Sequence, residues 1–295
     1  MKKFIILIPI YNDWKSVFQL LENIDLQIAK WDAEVLVLII NDGSTEERTV
    51  TELSFKNIKT VRVMNMKQNQ GHARCNAAGL KYLTEKEDFD YVILMDGDGE
   101  DRPEELTSLF NKSKENSLKT VTANRIKRSD GSFFKLLYEC HKILTYVFTG
   151  KLIKFGNYSC LPKEDAARLV KEACIWSSFS GSVTKIISDR VSVPSIRGKR
   201  YFGPSQMSFF KLLVHSFSII AVFKGSVIVR SVLFLIFYLF FVSSNLSIVT
   251  LFPVFIIFIF LFLIFKVSSR ENIEALNNSL ENIDNIDVLS DLNNG

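Results

Sequence analysis

The chain has 295 residues and a formal net charge of +4. That length allows one large domain, or one domain with an appendage, and so mild a charge gives no argument for a nucleic-acid partner. Hydrophobicity is uneven: Ser231 to Phe265 is a run of 35 residues without a charge, and 10 of the 25 Phe lie in it, a membrane signature rather than a soluble core.

The N-terminus, Met1-Lys-Lys-Phe-Ile-Ile-Leu-Ile-Pro9, has the look of a signal peptide, but its apolar run is short and Pro9 breaks it. It reads as a first strand ending at Pro9-Ile-Tyr11-Asn12-Asp13, with Asp13 capping the helix that follows. A second apolar run, Glu34 to Ile40, ends at Asn41-Asp42-Gly43-Ser44, and Ser44-Thr-Glu-Glu47 has the spacing of a capping box, predicting a helix there. Thr60 to Met64 predicts a third strand, and Gly71-His72-Ala-Arg74 opens a helix to about Thr84. His72 or Arg74 lines a ligand site, or the segment is a plain helix start.

Tyr91 to Met95 predicts a fourth, buried strand that stops at Asp96-Gly-Asp98-Gly-Glu100-Asp101. Two glycines let the backbone bend, and Asp101 stands where it caps a helix beginning near Pro103. Carboxylates on a tight turn suit Mg²⁺ or Mn²⁺, which in turn hold a diphosphate. A Ca²⁺ loop is excluded because the sixth residue from Asp96 is Asp101 rather than Gly and the twelfth is Thr107 rather than Glu. An acidic turn after a core strand is the competing reading. Thr120 to Ala123 predicts a fifth strand ending at Asn124-Arg125.

Strands alternating with helices predict an α/β domain with a mostly parallel sheet, whose ligands bind at the carboxyl ends of the strands. Tyr11, Asp13, Asp42, Asp96, Asp98 and Arg125 all fall at such ends. No Gly-x-Gly-x-x-Gly or Walker loop is present, so a dinucleotide dehydrogenase or a P-loop NTPase is not favoured. The four Cys (Cys75, Cys140, Cys160, Cys174) have no paired spacing and read as reduced thiols rather than a zinc site.

Residues 132–150 have amphipathic helical spacing and either lie on a membrane surface or pack on their own domain. Phe155-Gly-Asn157-Tyr-Ser159 introduces a further helix. Arg197-Gly-Lys199-Arg200-Tyr201-Phe-Gly203-Pro-Ser205 is a basic loop suited to phosphate or to anionic headgroups. Residues 208–224 are a second amphipathic segment. Two membrane passes follow, about 225–242 and 247–265, within 225–266, so that residues 1–224 form the catalytic domain with its juxtamembrane helices. Lys224, Arg230, Lys266 and Arg270 flank the passes, and the positive-inside rule puts both ends in the cytoplasm. The acidic tail, 267–295, reads as loosely ordered, with one short helix over Ile273, Leu276, Leu280 and Ile283 as the alternative.

Pro9-Ile-Tyr-Asn-Asp13, Asn41-Asp-Gly-Ser44, Asp96-Gly-Asp98 and Arg200-Tyr-Phe-Gly-Pro-Ser205 together resemble glycosyltransferase family 2 and, more narrowly, its polyprenyl-phosphate glycosyltransferases, over roughly Phe4 to Phe265. The resemblance implies a GT-A (Rossmann-like) fold and inverting transfer of a sugar from a UDP- or GDP-sugar to a polyprenyl phosphate at the cytoplasmic face of the cell membrane. It also implies a homo-oligomer through the membrane region. By the same resemblance, Pro9, Tyr11, Asp13 and Asp42 contact the nucleoside, and Asp96 and Asp98 hold the metal under the diphosphate. Arg125 and Arg200 meet phosphates of donor or acceptor, and Arg74 or His72 lines the donor site. Asp13 stands where Glu is usual and Glu100 where many relatives have Gln. If a base is used, Asp98 or Glu100 is nearest. Alternatives are transfer to a hydroxyl of an oligosaccharide or polysaccharide, a nucleotidyltransferase, and a non-catalytic nucleotide-sugar scaffold.

Overall fold

The computed structural model describes residues 1–48, 53–127, 132–204 and 208–292. In chain order the elements are β1 (Lys2–Ile10), α1 (Trp14–Gln27), β2 (Ala33–Asn41), β3 (Thr60–Met66), α2 (His72–Lys86), β4 (Tyr91–Leu94), α3 (Leu106–Glu115) and β5 (Thr120–Lys127). There follow α4 (Ser132–Thr149), β6 (Ser159–Pro162), α5 (Lys163–Leu169), α6 (Phe179–Ile186), β7 (Arg190–Ile196), α7 (Phe209–Ala221), α8 (Lys224–Val242), α9 (Ile248–Ser268), α10 (Ile273–Asn277) and β8 (Ile283–Asp291).

One sheet of eight strands runs β7-β5-β6-β4-β1-β2-β3-β8. The central strands β4, β1, β2 and β3 are parallel, and β6 lies antiparallel between β4 and β5. β1 is apolar throughout because it is covered on both faces. Phe4, Ile6, Ile8 and Ile10 pack with Leu20 and Ile24 of α1, while Ile5 and Leu7 pack with Leu80 and Leu83 of α2. This two-sided core leaves the carboxyl ends of β1, β2 and β4 side by side.

Several local expectations are overturned. No helix follows Ser44 among the described residues, because the Ser44 hydroxyl accepts the Asn12 N–H (2.9 Å) and its own N–H goes to Asn41 Oδ1 (3.0 Å). The rest of that predicted helix, 49–52, lies outside the described residues, as do Arg128 and Ser205. Asp13 occupies the N-cap position of α1 but makes no side-chain cap bond. Asp101 does not cap a helix either; its carboxylate accepts the N–H of Asp96 (3.0 Å), and the turn at Pro103 starts from Arg102. Asn157 to Ser159 lead into β6 rather than directly into a helix, and β7 lay hidden in a mixed polar segment, half-buried because it is an edge strand.

The tail is the largest correction. Instead of being loosely ordered, it forms α10 and then β8, antiparallel to β3 at the sheet edge. Leu276 is fully buried against the α2 side of the core. An isolated run with this composition could not bury enough surface to order itself, but a paired sheet edge supplies the missing partner.

α8 and α9, of 19 and 21 residues, span about 28 and 31 Å at 1.5 Å per residue, the thickness of a bilayer core. Many of their Phe side chains, including Phe237, Phe240, Phe241, Phe255 and Phe262, are exposed. Lys224 at the start of α8 pairs with Glu271 just past α9 (2.9 Å). The two ends of the hairpin therefore meet, and β8 returns to the main sheet. α7 packs against α9, and α4 against α8.

Candidate active site

The turn after β4 is the centre of the site. Asp96 Oδ1 lies 3.0 Å from His72 Nε2 at the start of α2 and 3.1 Å from Asn157 Nδ2. Asp98 Oδ1 accepts the N–H of Glu100 (2.9 Å), and its Oδ2 pairs with Arg200 Nη1 (2.6 Å). The other arm of Arg200 reaches Asp13 Oδ2, also at 2.6 Å. One guanidinium thus ties the end of β1 to the end of β4, which are neighbours only because the sheet order makes them so.

Glu100 pairs with Arg197. This accounts for a carboxylate where a Gln was expected: the basic loop supplies it with a cation. That loop, 197–201, lies across the acidic turn. Gly198 N–H donates to the Glu100 carbonyl (2.8 Å), Tyr201 N–H donates to the Asp98 carbonyl (2.9 Å), and the Tyr201 hydroxyl accepts from Asn23 on α1 (3.0 Å). Gly99 has φ +85, and a Cβ there would fall 2.6 Å from the Tyr201 ring, so both its backbone and its neighbour require glycine.

The other side of the site is built on β1 and β2. Asp42, nearly buried, accepts the N–H groups of Gln70 and Gly71 at 2.8 Å each. Burial raises its pKa against the pull of those two donors. Asn12, at φ 52, accepts from the N–H groups of Thr45 (2.8 Å) and Glu46 (3.1 Å) and so stitches the β1 end to the β2 end. Tyr11 beside it is exposed, and Pro9 sits in the register opposite Ile40. Of the two candidates at the start of α2, it is His72 and not Arg74 that reaches the acidic turn. Asn12, Asn157 and Arg197 were not picked out as site residues by sequence. Asn12 carried a readable signal, an Asn at a strand end where a left-handed backbone is tolerated; the other two are placed by long-range packing.

Arg125 lies at the far side of the turn, its Nη2 3.8 Å from Asp101 Oδ1. Gly156 makes room for it, since a Cβ there would approach Arg125 Nη2 to 2.6 Å. Arg74 is not among these groups. Its guanidinium stacks over Trp176, 5.6 Å from the ring centre, toward the C-terminal segment.

Electrostatics mark the turn as a crowded acid cluster. Burial, then the charges of Asp96 and Glu100, push Asp98 up to about 6. Burial and Asp96 push Asp101 up to about 7. Burial acts to raise Asp96 as well, but His72, Arg125 and Arg197 outweigh it and hold this carboxyl below the usual range. Such mutual repulsion is what a divalent cation relieves. The donor set fits one. Among the described residues no three metal-binding side chains form a closed cage, and Mg²⁺ and its kin are bound by one or two carboxylates together with substrate phosphates. Asp96 and Asp98 would be those carboxylates.

α7 packs on α9 of the apolar hairpin, and its His215 is pushed down mainly by burial.

The glycosyl transferase family 2 model matches residues 5–174, more than half of the chain. The chain belongs to glycosyl transferase family 2. Its fold is the one expected from its motifs. Among curated proteins it is similar to undecaprenyl-phosphate 4-deoxy-4-formamido-L-arabinose transferases of two Klebsiella pneumoniae strains. Each is 28% identical over 218 residues, covering 72% of this chain and 64% of the relative. Among solved structures it is similar to glucosyl-3-phosphoglycerate synthase from Mycobacterium tuberculosis. The complex with Mn²⁺, UDP-glucose and phosphoglyceric acid superposes with TM-score 0.53 at 12% identity, over 77% of this chain and 80% of that one. The complex with Mn²⁺, UDP and phosphoglyceric acid superposes with TM-score 0.52, also at 12% identity, over 77% and 78%. At that identity the likeness establishes the GT-A fold.

Proposed function

We propose that the protein transfers a sugar from a UDP- or GDP-sugar to a polyprenyl phosphate at the cytoplasmic face of the membrane, with inversion. The observation that carries this reading is the placement of the Asp96–Asp98 turn. It lies beside the ends of β1 and β2, in a domain whose α4 and α7 pack on the exposed apolar hairpin. The acceptor in the relatives' names, undecaprenyl phosphate, suits that placement.

In this reading Pro9, Tyr11, Asp13 and Asp42 hold the nucleoside. Asp96 and Asp98 hold Mg²⁺ or Mn²⁺, which when bound supplies positive charge to the departing diphosphate. Arg200 and Arg125 add fixed cationic charge at the same place, and such preorganised charge is the larger part of the barrier lowering available to a site without covalent chemistry. The acceptor is a phosphate oxygen, already ionised near neutral pH, so it attacks without a strong general base. Asp98 and Glu100, the candidates for a base, are both engaged in ion pairs with arginines. A single displacement inverts the anomeric carbon. Lys224, Arg230, Lys266 and Arg270 at the hairpin base supply the positive flank that places this end in the cytoplasm.

The test is Asp96→Asn or Asp98→Asn in membranes supplied with labelled nucleotide sugars. Loss of labelled lipid is expected, and formation at the wild-type rate would overturn the metal assignment. A screen of purified protein and undecaprenyl phosphate against UDP- and GDP-sugars identifies the donor.

A further inference from the structure

Arg74, moved away from the acidic turn, lines a cavity of about 200 Å³ between α2 and the C-terminal segment. Gln70 and Arg74 form one wall, Trp176 another, and Asn278, Ser279 and Asn282 close it. No lining residue carries a negative charge. Arg74 stacks on Trp176, yet its Nε is buried without a hydrogen-bond partner, and among the described residues no ion pair is formed by this guanidinium. The hydroxyl of Ser279, a residue only 4% exposed, is likewise buried and unpartnered. A buried donor left without a partner is costly, more so on a charged group, so two such groups on one cavity point to a polar ligand there. The surroundings sharpen its chemistry. Burial and the neighbouring positive charge of Arg270 both disfavour the charged form of Arg74, with only Asp42 opposing. A guanidinium over an indole, on a cavity with no carboxylate in its wall, calls for an anionic partner.

We propose that this cavity is an anion site for a phosphate group, separate from the acidic turn and built jointly by α2 and the C-terminal segment. Its volume holds a phosphate with a small substituent. Its C-terminal wall starts at Ala275, a few residues beyond the end of α9, so a phospholipid headgroup and a soluble phosphate ester are both candidate occupants. Gln70 gives the site a consequence: its N–H is one of the two that hold Asp42. Occupancy therefore steadies the loop under the nucleoside. This coupling rests on the role proposed for Asp42; the site itself does not.

The site is tested by calorimetric titration of inorganic phosphate into the detergent-solubilised full chain and its variants. Phosphate also reaches the arginines of the acidic turn, so the reading is a difference. One component of binding should be lost in Arg74→Ala, weakened in Ser279→Ala and retained in Arg74→Lys and in Arg200→Ala. Arg74→Lys and Ser279→Ala keep the test open if Arg74→Ala fails to fold. A second arm compares Tm in nanodiscs of phosphatidylcholine alone and with added phosphatidylglycerol. An Arg74-dependent rise with the anionic lipid assigns a headgroup, and Arg74-dependent phosphate binding without that rise assigns a soluble ester. Superimposable phosphate isotherms for wild type and Arg74→Ala, with no Arg74-dependent lipid effect, would leave a hydrated structural cavity only and overturn the proposal.

Discussion

Arg200→Ala is the most informative substitution at the acidic turn. Its guanidinium makes two contacts of 2.6 Å, to Asp13 and to Asp98, and all three side chains are only 14–17% exposed. Removing one partner of a fully buried pair costs about 3–5 kcal/mol. Here the residual exposure and the ability of the loop to admit water reduce the figure to about 2 kcal/mol, a fall in Tm of about 4–8 °C. Asp98, left without that cation, still feels the charge of Asp96, so the loss is largely electrostatic. A double-mutant cycle with Asp98→Asn should therefore return a coupling of about 1–2 kcal/mol in thermal melts of the detergent-solubilised protein, because the neutral amide in place of the Asp98 carboxylate no longer needs the cation. In transfer assays kcat should fall about 100-fold or more, with KM for the lipid phosphate rising further than KM for the nucleotide sugar. Additive melts would refute the pairing, and a rise confined to the nucleotide sugar would refute the acceptor role.

Four further outcomes are expected. Gly99→Ala should destabilise by about 1–3 kcal/mol, as strain at φ +85 adds to the clash with Tyr201; circular-dichroism melts check it, and an unchanged Tm would mean that the loop does not lie over the turn. Glu100→Gln leaves Arg197 without its carboxylate, and Tm should fall by a few degrees while the Gln keeps a hydrogen bond; a rise in Tm would show the pair to be net unfavourable. Asp287 on β8 reaches Arg48 (3.4 Å) and Asn65 (3.0 Å), and Asn65 holds Asn41 next to Asp42. Asp287→Ala should raise KM for the nucleotide sugar a few-fold with KM for the lipid acceptor unchanged, and equal changes in both would point to a general loss of folding. Single cysteines at Ser244 and at Ser290, in a background without native Cys, should react with an impermeant maleimide from opposite sides of the membrane. Labelling from one side would mean that the hairpin does not cross.

Where the relevant force is local, the primary structure was enough. β1, β2 and β4 are runs of buried apolar residues, the glycines of Asp96-Gly-Asp98-Gly announce a bend, and a charge-free stretch of 35 residues has no soluble home. These fix the α/β class, the acidic turn and the hairpin without reference to any contact. Capping at Asp13, Ser44 and Asp101 misled because each oxygen takes another partner: an arginine, the Asn12 N–H and the Asp96 N–H. A capping bond contributes about 1 kcal/mol, too little to hold a carboxylate against a buried guanidinium. β8 was illegible for a related reason. Its mixed polar residues acquire a strand's geometry only from the open edge of β3, more than 200 residues away in the chain. What the sequence alone determined was which residue types stand at the strand ends. Only the tertiary structure decided their partners, pairing Glu100 with Arg197, placing Arg200 between Asp13 and Asp98, and turning Arg74 away to Trp176, since each of these follows from strand order and loop closure rather than from spacing along the chain.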